Sequence, residues 1–241
     1  MVYLELILVC VIGAILQSTI GFGFPIFAMI FLTLIFPFQT AVTITQSAGI
    51  LGVGYFFFKY FKHVKWKVLL PFLLSAVPIG LFCTAVGTNI SVSNLKIYLG
   101  IVLVGIALFF LLFDRKIKIK ANIVSGVSLG CASGILNGFF AIGGPPVALY
   151  LLPATNEKIS YIATANAYFF LFKIANLSLR FSNGSVGKDH YLLILTSIIA
   201  MAMGSIIGDR IMQYIKMNIL KKLVYAFVGI SGLIIFLQEI L

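Results

Sequence analysis

A predominantly apolar run from Val2 to Phe36 sets the first limit on what this chain can become. As one straight helix it would be about 50 Å long, against a hydrocarbon core of roughly 30 Å. The run must therefore break, and Gln17-Ser18-Thr19-Ile20-Gly21-Phe22-Gly23-Phe24-Pro25 supplies the means. Gly21 and Gly23 relax the backbone; Pro25 donates no hydrogen bond into a preceding turn but suits the first turn of a new helix. The expected order is helix, unwound turn, half-helix. A similar signal returns at Asn137-Gly138-Phe139-Phe140-Ala141-Ile142-Gly143-Gly144-Pro145-Pro146.

Hydrophobic residues make up 61% of the 241 and charged ones 10%, and the mean hydropathy is +1.15. These values exclude an ordinary soluble domain and place the chain among all-α polytopic membrane proteins. A net charge of +11 does not point to nucleic acid, because the cations sit in short loops between apolar spans, where they orient the chain in the bilayer. Cys10, Cys83 and Cys131 fall in apolar segments without paired spacing and are read as small core residues, not as a disulfide or metal site. His63 and His190 are read as solvated loop residues. No metal or cofactor is expected, and the first apolar run, lacking a basic leader or a small-residue cleavage site, is read as a retained membrane segment.

After the broken segment 2–36, spans are expected near 41–61, 68–87 and 95–113. The basic stretch 114–121 then separates a first unit, 1–113, from a second, 122–241. That second unit repeats the order, with a broken segment 122–153 and spans near 161–181, 191–214 and 219–240. Sliding the chain by 120 residues lays Gln17 on Asn137, Gly23 on Gly143, Pro25 on Pro145, Gln46 on Asn166 and Phe61 on Phe181. A shift of 124 lays Gly80 on Gly204 and Gly105 on Gly229. Matched amides beside matched prolines argue for a duplicated layout, each repeat holding a broken or re-entrant segment and three further transmembrane helices.

If each broken segment dips in and returns, or crosses twice, parity leaves the repeats inverted. Inversion gathers Lys59, Lys62, Lys65, Lys67, Arg115, Lys116, Lys118, Lys120, Lys158, Arg210, Lys216, Lys221 and Lys222 on one side and leaves Lys96, Arg180 and Lys188 on the other. Parallel repeats would divide them almost evenly. The excess of cations on the cytoplasmic side therefore favours inversion, with both termini outside the cytoplasm.

In an inverted pair, the half-helices beginning at Pro25 and at Pro145-Pro146 start near the midplane from opposite faces. Each start exposes backbone N–H groups and the positive end of a helix dipole, a setting for an anion. Gly21, Gly23, Gly143 and Gly144 let a ligand approach the backbone, and Gln17, Ser18, Gln46, Asn137 and Asn166 offer polar hydrogen-bonding groups. Interhelical hydrogen bonding is the other role open to these amides. Lys173 lies within a span, where a charge is costly unless it faces a cavity or a partner. It is read as attracting an oxyanion, with snorkelling or an ion pair with Asp209 as alternatives. Asp209 is itself read as pairing locally with Arg210. The spans hold few carboxylates, and no enzyme constellation or phosphate-cradling loop emerges, so the chain is read as a non-enzyme.

The combination of Gly21-Phe22-Gly23-Phe24-Pro25, Gly138 with Ile142-Gly143-Gly144-Pro145-Pro146, this length and a duplicated layout resembles the TauE/SafE family of sulfite exporters, the TSUP transporters. The likeness covers essentially the whole chain. It implies an inner-membrane permease for small sulfur-containing anions such as sulfite or organosulfonates, embedded in the lipid bilayer. A secondary carrier rocking about a midplane anion site is the leading expectation. A passive anion channel and a non-transporting assembly partner are the competing ones, and the oligomeric state, a homo-oligomer included, is left open.

Overall fold

The computed structural model describes residues 2–87, 122–155, 157–184 and 190–216, together with Ile90, Tyr98, Ile101, Gly105, Gly187, Ile219, Leu220 and Leu223. The expected linker 114–121 and nearly all of the spans 95–113 and 219–240 lie outside the described residues. Those described form eight α-helices and no strand: α1 Val2–Ile20, α2 Phe24–Ile35, α3 Phe38–Lys59, α4 Trp66–Gly87, α5 Ile123–Phe140, α6 Gly144–Ala154, α7 Lys158–Ser182 and α8 Tyr191–Tyr214. Six of them (α1, α3, α4, α5, α7 and α8) are long and apolar enough to cross a membrane. At 12 and 11 residues, α2 and α6 would reach only about 17–18 Å along their axes.

Both short helices turn back on the helix before them. The rings of Phe24 and Phe27 lie against Gly13 in the middle of α1, so α2 retraces α1. On the other side Ser133 of α5 bonds the carbonyl of Gly143, and Tyr150 of α6 lies against Gly126 near the start of α5. The boundaries of the two hairpins match: α1 ends at Ile20 and α5 at Phe140, α2 begins at Phe24 and α6 at Gly144, α3 begins at Phe38 and α7 at Lys158. Each pair differs by the same 120 residues (140 − 20, 144 − 24, 158 − 38). The left-handed turn residues Gly21 and Ala141 differ by 120 as well (141 − 21).

Small residues bring helices distant in sequence together. Along α5, Gly126, Gly130, Gly134 and Gly138 face Pro71, Ser75, Ala76 and Gly80 of α4 in ascending order, so the two helices run the same way at backbone contact. Likewise Gly204 of α8 faces Val11 of α1 and Gly208 faces Ile15 and Ser18, again in parallel. Helix α3 crosses α7 in the opposite sense, Gly49 meeting Lys173 and Gly54 meeting Phe170.

These directions sort the ends. Lys59 of α3 pairs with Asp209 of α8, Lys65 N–H donates to Thr164 Oγ1 of α7 at 3.0 Å, and Lys158 Nζ donates to Met212 O at 2.8 Å and Ile215 O at 2.6 Å. One end therefore carries Lys59, Lys62, Lys65, Lys67, Lys158, Arg210 and Lys216. The opposite end carries the start of α1, the end of α4 and the α7–α8 junction. There Gln39 Nε2 donates to Gly87 O at 3.2 Å, and Thr40 Oγ1 lies 3.2 Å from His190 Nε2, so His190 joins two helices and is not merely a solvated loop residue.

Candidate functional site

A side chain completes the first break. Gly21 (φ 87°) and Gly23 (φ 126°) hold left-handed angles that residues bearing a Cβ rarely adopt, and they turn the chain at the end of α1. Gln17, one turn earlier, spans the gap: its Nε2 donates to Gly21 O at 3.3 Å and its Oε1 accepts from Phe24 N–H at 3.3 Å. It thereby satisfies the first amide of α2, for which the capping residue Gly23 has no side chain. Pro25 follows with no N–H to satisfy.

At the second break Ala141 (φ 61°) takes the left-handed turn, its N–H donating to Asn137 O at 3.1 Å. Gly143 precedes α6 without a side-chain cap, and Pro145 and Pro146 fill the first turn after Gly144. Ser133 Oγ donates to Gly143 O at 2.8 Å and holds this turn against α5. The two breaks touch. A Cβ on Gly144 would overlap the ring of Phe22, so only glycine there lets the first turn lie on the second.

Beside them lies Lys173, with 2% of its surface exposed. Its ammonium donates to Thr45 O at 3.2 Å, Gln46 O at 3.3 Å and Gln46 Oε1 at 3.2 Å. Gln46 Nε2 donates in turn to Asn137 O at 3.3 Å and Asn137 Oδ1 at 3.4 Å. Asn137 Nδ2 donates to Tyr168 OH at 3.5 Å, and that hydroxyl is 2.9 Å from Ser133 Oγ. A continuous buried network thus runs from Lys173 through Gln46 and Asn137 to Tyr168, Ser133 and the carbonyl of Gly143. It joins α3, α5, α7 and the second break. Phe24 reaches it from the first break, since its ring and the Lys173 ammonium both lie against Gly49.

Among the described residues, every acceptor around the Lys173 ammonium is a neutral carbonyl. Asp209 is ion-paired with Lys59, and its carboxylate also accepts from Tyr55 OH and Tyr60 OH, each at 3.2 Å. The expected partners of Asp209 are corrected accordingly: neither Arg210 nor Lys173 holds it, because the α3–α8 packing brings Lys59 there first. Burial likewise removes snorkelling as an account of Lys173.

The other anticipated residues divide. Ser18 belongs to the α1–α8 packing, its Oγ donating to Ala14 O at 2.7 Å and Ser205 O at 3.5 Å beside Gly208. Asn166 is fully buried; its Nδ2 donates to Ile162 O at 2.8 Å, while its Oδ1 has no partner among the described residues. Sequence reasoning missed Ser133 and Tyr168. Ser133 precedes Asn137 by one helical turn and shares its face, a legible signal. Tyr168 enters only because α7 crosses α5, which no local pattern carries. No group of three His, Cys, Asp or Glu able to hold a metal occurs among the described residues.

The sequence profile described as Sulfite exporter TauE/SafE matches residues 6–235, across both breaks and the whole polar network. The chain belongs to that family. No match was found among curated proteins, and none among solved structures. TauE/SafE is a family of membrane transporters, not of enzymes, and the six spanning helices fit a multi-pass membrane protein.

Proposed function

We propose that this TauE/SafE member is a secondary carrier of small sulfur-containing anions such as sulfite or organosulfonates, which bind beside the two helix breaks. Lys173 carries the proposal. A buried ammonium that meets only neutral carbonyls among the described residues has no counter-charge there, a costly arrangement within a membrane, and a bound oxyanion supplies one. Gln46, Asn137 and Tyr168 offer hydrogen bonds to its oxygens, and the starts of α2 and α6 offer helix dipoles of the right sign. Gln17, Gly21, Gly23, Gly143 and Gly144 shape the turns that bring those starts close. Enclosure of the network favours a carrier over an open pore.

The architecture belonging to this proposal is a pair of inverted repeats that swing about the site. The displacement of helix boundaries by 120 residues and the parallel pairing of each unit's leading helix with the other unit's last described helix support it. The lysine-rich end is assigned to the cytoplasm. Because α1 starts at the other end, the N-terminus falls outside, in an inner membrane.

Purified protein in liposomes, offered labelled sulfite or methanesulfonate, tests the proposal. Saturable uptake with counterflow is the expected outcome. Absence of flux for both anions, with the protein shown folded, overturns it; discrete single-channel openings replace the carrier with a pore.

A further inference from the structure

A second cation lies two helical turns along α7 from Lys173. The sequence places Arg180 among the loop charges, yet in the fold only 2% of its surface is exposed. Its Nε donates to Asn176 Oδ1 at 3.0 Å, whereas its Nη1 is buried with no hydrogen-bond partner among the described residues. No carboxylate among the described residues pairs with it; the ion pair found among them joins Lys59 and Asp209 at the far end of the bundle.

The surroundings of Arg180 are built. Asn176 Nδ2 donates to Thr84 Oγ1 at 2.6 Å, and Thr84 Oγ1 donates to Gly138 O at 3.1 Å. Gly138 directly follows Asn137, the residue that receives Gln46 in the Lys173 network. The chains of hydrogen bonds that start at the two cations therefore end on adjoining peptides of α5. Lys173, Asn176 and Arg180 follow the three- and four-residue steps of one helix face, which separates the cations by about 10 Å along the axis.

A guanidinium anchored at Nε, with a buried Nη1 that no described residue engages, holds a charged donor ready for an oxyanion, to which such donors bond strongly. We infer that Arg180, positioned by Asn176 and Thr84, forms a second binding station for a small sulfur oxyanion, between the lysine-poor end of the bundle and Lys173. The inference rests on the carrier proposed above and adds a stop to its path. Two stations let an anion be received at one while the other is still empty, so the buried lysine need not capture its ligand directly from solvent.

Equilibrium dialysis of the purified full chain against labelled sulfite tests this. Wild-type protein is expected to bind two anions per chain, K173Q one and R180Q one. R180K, which keeps the charge but loses the guanidinium, is expected to retain the second anion with about tenfold weaker affinity, and it serves if R180Q does not fold. A single anion bound by wild-type protein, or a second affinity unchanged in R180Q or R180K, overturns the station. Loss of folded protein in both variants assigns Arg180 to the fold and overturns it too. If wild-type protein binds no anion at all, the carrier proposal itself fails, an outcome distinct from loss of the station alone.

Discussion

Lys173 and Gly49 are best considered together, because the absence of a side chain at Gly49 leaves the space that the ammonium fills. A Cβ there would stand 2.8 Å from both Lys173 Cε and Nζ, so Gly49→Ala moves the charge without removing it. Transport is expected to fall at least about tenfold in G49A and more steeply in K173Q, in line with the weight carried by an intramembrane charge, while folded yield stays near wild type. Liposome flux set against gel-filtration yield checks both, and unchanged flux in K173Q removes the lysine from the mechanism. Gly143 makes a similar case from the other side. A Cβ at this position would lie 2.8 Å from Ser133 Oγ and 2.9 Å from Asn137 Nδ2, so Gly143→Leu should reduce flux more than insertion. The need for glycine at Gly21 and Gly23 was legible from the sequence, because backbone conformation there follows from residue type. The burial of Arg180 was not, since it depends on α4 packing against α7, where Thr84 receives Asn176.

Element by element, the hairpins were half legible. Glycine and proline chemistry located both breaks, and the helices stop and restart within a residue or two of the marked positions. Whether each broken segment continued or returned could not be read locally, because the turn direction is set by Phe24 and Phe27 finding Gly13, a packing event. The strain at the first break is measurable: an alanine at Gly21 must hold φ 87°, and G21A is expected to lose about 1–2 kcal/mol of stability, read as a lowered melting temperature in detergent. Gly134→Leu should do more harm, because a Cβ there would sit 3.1 Å from the Gly80 backbone nitrogen and the Ala76 Cα. Failure of G134L to accumulate in the membrane is the expected result; normal accumulation would mean that α4 and α5 can separate without consequence.

At the scale of the molecule, charge placement was the most legible property. Lys59, Lys62, Lys65, Lys67, Lys158, Arg210 and Lys216 share one end, as expected if that end faces the cytoplasm. A cysteine placed at His63 should react with a membrane-impermeant maleimide only from the cytoplasmic side, and one at Asn183 only from the opposite side; reversal of the pattern inverts the assigned orientation. The Lys59–Asp209 pair was less legible, because it joins residues far apart in sequence through the crossing of α3 and α8. The pairing of α1 with α8 carries a cost in time. Val11 cannot meet Gly204 until the ribosome has made all the chain between them, on the order of tens of seconds at roughly 5–20 residues per second. Throughout that interval the first helix has α2 beside it but lacks its final neighbour, so the seam between α1 and α8 closes only after the helices between them have been made.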